Sequence, residues 1–207
     1  ETPLGIAHGL GLCREFAGAE PVILYLGDNV LHGGISTFVE RFAGSTAQGA
    51  VVLKEVEDPR AFGVAVVEHE RLKRVVEKPT QPPSNLAVIG VYAFRPEVFE
   101  VIAALRPSAR GELEITTLNE LYLKAGTLRV EKLGRGFAWL DTGTFDSLLD
   151  AGDYVAALER RQGVKIACLE EIALRLGYIT PASLEPWLAR LGKSPYAGYV
   201  RKFAESF

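Results

Sequence analysis

Residues 22–30, VILYLGDNV, run apolar for most of their length and end in a glycine, an acid and an amide. A continuous Val/Ile/Leu run predicts a strand buried on both faces, and in open α/β sheets ligands gather just beyond the carboxyl ends of such strands. Asp28 therefore stands where chemistry is expected. Upstream, Ile6, Leu10, Cys13 and Ala17 share one helical face that Gly18 closes. Downstream, Ile35, Phe38, Val39 and Phe42 mark a second helix, and residues 49–56, GAVVLKEV, return to strand. This alternation predicts an α/β fold, a Rossmann-like, mostly parallel mixed sheet with helices on both faces.

Residues 58–79 read as two shorter strands, 63–68 and 72–77, joined by a polar turn into a hairpin. Residues 86–105 form a buried strand that runs into a helix, with Pro96 suited to its first turn. Thr117 and Glu120 have capping-box spacing, Leu118, Leu121, Tyr122 and Ala125 line one face, and Gly126 stops that helix. A strand LRVEKLG and the segment FAWLDTGT follow. From Thr144 onward the spacing is helical. Phe145, Leu148, Leu149 and Val155 mark a long helix ending near Gly163, and Thr180-Pro181 and Ser194-Pro195 each open another. Two parts are expected, an α/β core over residues 1–143 and a helical segment over 144–207.

Composition narrows the function classes. The 207 residues are 48% hydrophobic and 24% charged, as in ordinary globular chains. The 26 acids and 23 bases are interspersed, so no footprint for nucleic acid or an anionic membrane exists. No apolar run reaches the roughly 20 residues of a membrane span and no signal peptide opens the chain, so a cytoplasmic protein is expected. Cys13 and Cys168 lie far apart in apolar surroundings, which predicts two buried free thiols. His8, His32 and His69 are scattered and offer no histidine site.

Candidate chemistry lies elsewhere. Asp28 in YLGDN and Asp141 in WLDTGT each follow apolar residues and precede a turn. Two carboxylates from two strand ends suit Mg²⁺, which takes one or two protein carboxylates and fills its octahedron with water and phosphate oxygens. Turn or helix capping is the competing role for each acid taken singly. Glu77 and Lys78 end a strand before Pro79; Lys78 could meet a phosphate as a point charge and Glu77 could accept hydrogen bonds from hydroxyls, or both could be simply solvated. Arg110 beside Gly111 offers either a phosphate fork or a loop salt bridge. Tyr92 and Trp139 could wall a pocket or fill the core.

Taken in order, LGDN, DPRAFGV, EKP, SNLAVIGVYAF, PSARGELEIT, GRGFAWLDTGT and ERRQGVKIACLEEIA resemble the sugar nucleotidylyltransferases, specifically the short-form glucose-1-phosphate thymidylyltransferases of the dTDP-rhamnose pathway. The resemblance spans essentially the whole chain, and the helical tail separates it from long-form relatives that end in a β-helix. It implies that Asp28 and Asp141 hold Mg²⁺, that Lys78 and Arg110 bind the phosphate of the sugar 1-phosphate, and that Glu77 binds sugar hydroxyls. It further implies that Gly63 and Val88 offer backbone groups to the sugar, that Gly5 lies near the nucleobase, and that Tyr92 and Trp139 are pocket walls. The implied substrates are dTTP and glucose 1-phosphate, the implied assembly is a homotetramer, and dTDP-rhamnose is the implied feedback inhibitor. A UTP- or CTP-dependent enzyme and a non-catalytic nucleotide-sugar-binding subunit are the alternatives.

The chain departs from that pattern at its start. The family's Gly-rich GxGTRL loop and KxLLP-type segment are not found, and the sequence contains no methionine, at position 1 or elsewhere. The expectation is that an N-terminal piece of the nucleotide domain is missing. Its loss should uncover apolar faces at residues 22–26 and 88–92 and leave the isolated chain poorly stable and inactive.

Overall fold

In the computed structural model, which describes residues 4–68 and 71–207, the chain runs through α1 (Ile6–Leu12), α2 (Arg14–Ala17), β1 (Val22–Tyr25), β2 (Asn29–His32), α3 (Ser36–Ala43), β3 (Gly49–Glu55), β4 (Gly63–Glu68), β5 (Arg71–Glu77) and β6 (Leu86–Phe94). It continues through α4 (Val98–Ala103), α5 (Ile115–Lys124), β7 (Leu128–Lys132), β8 (Ala138–Asp141), α6 (Phe145–Gln162), α7 (Leu169–Arg175), α8 (Pro181–Leu191) and α9 (Pro195–Ala204). Two units result, Glu1–Gly143 and Thr144–Phe207. The polar turn expected at His69 lies outside the described residues.

The first unit is built on a six-stranded mixed sheet in the order β5-β4-β6-β3-β7, with β1 also on β6. The α/β class and the helices on both faces hold, but the expectation of mostly parallel strands does not. Among the described residues of this sheet only β3 and β7 pair in parallel; β1–β6, β3–β6, β4–β5 and β4–β6 are all antiparallel. Parallel neighbours need a crossover of a dozen or more residues, usually a helix, whereas the described residues between β3 and β6 form the strands β4 and β5. The crossover between β3 and β7 does contain helices, α4 and α5, and that pair is the parallel one.

Strand β6 organises the unit because its two edges are used differently. One edge pairs with β3 along its length. The other is shared: Gly63 and Val64 of β4 face Val88 and Ala87, while β1 faces residues 91–94. Between these partners lies Gly90. Its carbonyl accepts from the Leu26 N–H at 2.9 Å and its own N–H donates to Asn29 Oδ1 at 3.1 Å. The two neighbours of β6 thus part at Gly90, and the loop after β1 fills the break in the ladder with a side chain.

Alternation along the strands sorts the core into two layers. Val51, Leu53, Val88, Tyr92 and Phe94 pack with Ala7 and Leu10 of α1, Val98, Phe99 and Ile102 of α4, and Ile115, Leu118 and Tyr122 of α5. Ala50, Val52, Ile89, Val91 and Ala93 face the other way, onto Phe38 and Phe42 of α3. Burial on both faces explains why β6 reads as an unbroken apolar run. Residues 88–92 are consequently buried, contrary to the exposure expected there, whereas Ile23 and Tyr25 of β1 are 38% and 39% exposed.

Local signals were read correctly at some helix ends and wrongly at others. The first helix breaks at Cys13, which caps α1 and leaves its own side chain exposed; only Cys168 of the two thiols is buried. Helix α5 begins at Ile115 after an extended Glu114, so Thr117 lies inside it rather than capping it. Burial of Ile115 and Thr116 against the sheet draws the start forward, past the capping-box spacing.

In the second unit, Thr144 and Ser147 form a reciprocal capping box on α6, which Gly163 ends in a left-handed conformation. Thr180 and Ser194 cap α8 and α9. The core there joins Cys168, Leu174, Leu184, Leu188, Ala197 and Val200. Phe145, Leu148 and Leu149, whose spacing marks this helix in the sequence, are 93%, 55% and 67% exposed; the one residue α6 buries is Ala151.

Two stability measurements follow from these contacts. A Cβ at position 90 would stand 2.8–2.9 Å from atoms of the Asn29 carboxamide. Gly90→Ala therefore overpacks a buried, hydrogen-bonded group and should cost about 1–3 kcal/mol in urea unfolding. Thr144→Ala should cost about 1 kcal/mol through the lost cap.

Candidate active site

Where β1 and β4 part along β6, a cleft of about 790 Å³, its open mouth included, enters the first unit. One wall comes from the loop after β1 and from β8. Strands β2 and β8 pair antiparallel with Asn29 opposite Asp141, so Asp28 and Asp141 become neighbours although 113 positions separate them in the chain. The Thr142 N–H donates to the Asp28 carbonyl at 2.7 Å and closes the join. Asp28 Oδ1 accepts from Asn29 Nδ2 at 2.7 Å, and Asp141 Oδ1 accepts from the Gly143 N–H at 3.0 Å. A Cβ on Gly143 would lie 2.9 Å from Asp141 Oδ1 and 3.8 Å from Asp28 Oδ2, so the two carboxylates flank one small space that a side chain would fill.

The opposite wall comes from the β4–β5 hairpin and the loop before α5. Gly63 faces Glu77 on one edge and Val88 on the other. Glu77 accepts a hydrogen bond from the Thr116 hydroxyl and lies 3.6 Å from Arg110 Nη2. Arg110 Nε and Nη2 donate to Glu114 at 2.8–3.0 Å, and Glu112 stands 3.7 Å from Nη2. Glu114 also accepts from the Ser108 hydroxyl at 2.8 Å. Of the two roles weighed for Arg110 the loop salt bridge is present, and the residue also lines the cleft. The Arg110 fork, and then the Ser108 hydroxyl, hold the Glu114 carboxyl below its ordinary range, and Glu114 in turn raises Arg110.

Lys78 occupies the left-handed region at φ 41°, uncommon for a residue with a Cβ, and its N–H donates to the Phe62 carbonyl at 3.0 Å. Phe62 meets Trp139 edge to face at 4.9 Å between ring centroids. Tyr92 forms the floor and is almost wholly buried, which pushes its hydroxyl well above the ordinary tyrosine value, with the Glu77 and Asp28 charges adding to the shift. The phenol stays protonated and available as a donor.

Asp28, Asp141, Glu77, Lys78, Arg110, Gly63, Val88, Tyr92 and Trp139 all line this one cleft. Gly5 does not; its neighbour Ile6 does. Gly5 begins α1 at φ 98°, where a Cβ would lie 2.6 Å from the Leu113 carbonyl, so its glycine lets α1 dock on the loop that carries Arg110.

The chain matches the family model described as nucleotidyl transferase over residues 1–157. It is 44% identical over 206 residues to the glucose-1-phosphate thymidylyltransferase of Xanthomonas campestris pv. campestris, covering 99% of this chain and 70% of that protein. The chain belongs to the nucleotidyl transferase family. The Mycobacterium tuberculosis glucose-1-phosphate thymidylyltransferase is likewise 44% identical, over 99% of this chain and 72% of its own length. A crystal structure described as a glucose-1-phosphate thymidylyltransferase from Bacillus anthracis, in complex with sucrose, superposes at a TM-score of 0.70 with 40% identity, covering 74% of this chain and 62% of that one. A UDP-glucose pyrophosphorylase complexed with UDP-glucose shares the fold at a TM-score of 0.66 and 24% identity, over 74% of this chain and 62% of that one.

For a nucleotidyl transferase, sequence reading missed Asn29, Phe62, Glu112, Glu114 and Thr116, all of which line the cleft. The signal for Thr116 and Glu114 lay in their nearness to Arg110 within GELEIT, and that for Asn29 in an amide directly after the acid. Among the described residues no group of three or more His, Cys, Asp or Glu could hold a metal. The donor set at Asp28 and Asp141 is therefore an open pair of hard carboxylates, which fits Mg²⁺ with water and phosphate oxygens better than a closed structural site.

The Arg110–Glu114 pair carries a pH signature. A carboxyl held below its ordinary value contributes stability in full above that value and loses it as pH falls through the lowered one. Glu114→Gln should lower the urea midpoint at pH 7, and the gap to the parent protein should close as pH is taken below about 4.

Proposed function

We propose that the protein condenses dTTP with glucose 1-phosphate to give dTDP-glucose and pyrophosphate, in a Mg²⁺-dependent reaction. The observation that carries this reading is the convergence of Asp28 and Asp141, from paired strand ends, across one cleft from Glu77, Lys78 and Arg110. An oxygen of the sugar 1-phosphate attacks the α-phosphorus, the new P–O bond forms as the bond to the β-phosphate oxygen breaks, and pyrophosphate leaves. Such a transfer needs no covalent nucleophile; it needs positioning and neutralisation of charge.

Each residue has a place in that scheme. Glu77, held by Thr116, accepts hydrogen bonds from sugar hydroxyls, and the backbones of Gly63 and Val88 border the same subsite. Arg110 turns one edge of its fork to Glu114 and keeps further N–H donors for the sugar phosphate, while Lys78 adds a point charge. Tyr92 and Trp139 form the floor and side of the pocket. Five carboxylates against two cations line the cleft, a balance that disfavours polyanionic substrates by themselves. Mg²⁺ held by Asp28 and Asp141 would supply the missing positive charge and polarise the phosphate oxygens.

A cytoplasmic homotetramer inhibited by dTDP-rhamnose completes the proposal. The exposed apolar row Phe145, Leu148 and Leu149 supports self-association, and no described helix is long and apolar enough to cross a membrane.

Pyrophosphate release with glucose 1-phosphate, measured on the complete protein with dTTP, UTP and CTP in turn, should be fastest with dTTP and abolished by chelation. Asp141→Asn, nearly isosteric, should slow it by about 10²-fold or more. An unchanged rate and Mg²⁺ dependence would remove the metal role from Asp141, and a preference for UTP or CTP would reassign the nucleotide.

A further inference from the structure

Asn29 is one of few buried polar side chains among the described residues, and each of its side-chain polar atoms is engaged. Its Oδ1 accepts from the Gly90 N–H at 3.1 Å and from Trp139 Nε1–H at 2.7 Å, while its Nδ2 donates to Asp28 Oδ1 at 2.7 Å. The network itself sets which way the amide points. A flipped carboxamide would turn its NH₂ toward two N–H donors and its oxygen toward a carboxylate, three repulsive contacts in place of three bonds. Asn29 also begins β2 opposite Asp141, so its backbone is in register with that of the second acid.

One carboxamide thus reads three things together: the position of the central strand β6, the orientation of an acid in the cleft and the plane of the tryptophan that walls it. Gly90 makes this possible, since any Cβ there would occupy the space of the amide. A brace made only to hold β2 on β6 would need the bond to Gly90 and neither of the others. The other two bonds both end on groups that face the cleft.

We propose that Asn29 is a positioning residue for nucleotidyl transfer, aligning the Asp28 carboxylate and the Trp139 ring as a unit. The proposal rests on the reading that Asp28 holds Mg²⁺. Outer partners that orient metal-binding carboxylates commonly change metal affinity by about 10- to 100-fold when removed. Asn29 leaves Asp28 one oxygen, Oδ2, without that bond and directed to the space beside Gly143.

The test separates positioning from bulk stability. The protein has two tryptophans, so a Trp187→Phe background makes Trp139 the sole reporter. In that background, without metal or substrate, Asn29→Ala should shift the Trp139 emission to longer wavelength, as the ring loses its partner and takes on water. In the complete protein the same change should raise the Mg²⁺ concentration for half-maximal pyrophosphate release about 10-fold or more, per folded molecule. Where Asn29→Ala fails to fold, Asn29→Ser, which keeps a short polar group near Gly90 but cannot span to both Asp28 and Trp139, should give the same two shifts. A double-mutant cycle of Asn29→Ala with Trp139→Phe should be non-additive in kcat/KM. A lowered melting temperature with Trp139 emission and Mg²⁺ half-saturation both unchanged would reduce Asn29 to a structural brace and overturn the proposal. If Asp28→Asn leaves Mg²⁺ dependence intact, the metal reading of Asp28 fails on its own, and with it the metal half of the proposal. The metal-free emission shift still tests the Trp139 half separately.

Discussion

The edge of β6 that two strands share is the constraint on which the rest of the first unit depends. A strand interior offers hydrogen bonds to both sides, and a break in one ladder leaves backbone groups that must find partners if they are buried. Here the break falls at Gly90, and the partners are the Leu26 N–H and the Asn29 side chain. Closing that gap pulls the LGDN loop down onto the sheet, sets β2 against β8 and so brings Asp141 beside Asp28. The cleft is the space left between β1 and β4 once these bonds are made.

The same economy governs charge. Arg110 is surrounded by Glu77, Glu112 and Glu114, and its position is the result of several weak attractions in a half-exposed setting. Only Glu114, with a side chain 11% exposed, makes a close bidentate contact. Glu77 lines the cleft with a hydroxyl partner, Thr116, as well as a cationic one. A basic side chain pinned by acids retains its charge while presenting little net positive field.

How much of this could be read beforehand differs by residue. The place of Asp28 just beyond a strand was legible because the apolar run and the glycine after it are local, although β1 is antiparallel and half exposed rather than buried on both faces. Glu77 and Lys78 were legible as the end of a hairpin strand. Strand direction was not, because it depends on which strands pair, and pairing is set by long-range packing on β6 rather than by the alternation of elements. The cap of α5 was misplaced for a related reason: the burial of Ile115 outweighed the spacing of Thr117 and Glu120. Cys13 looked like a core residue by its helical spacing, yet the helix breaks at that point and turns the thiol outward. For Asn29 the sequence signal was only an amide following the acid; its role depends on three partners, at positions 28, 90 and 139, of which two are distant in the chain.

Glu77 and Lys78 are consecutive, and consecutive residues of a strand point to opposite faces of the sheet. Both nevertheless line the same cleft. Lys78 follows the last residue of β5, and its positive φ of 41°, just before Pro79, takes the chain out of the strand's alternation at that point. Two adjacent positions of opposite charge are thereby both set on the lining of one cleft, a placement that the alternation of a continued strand would oppose.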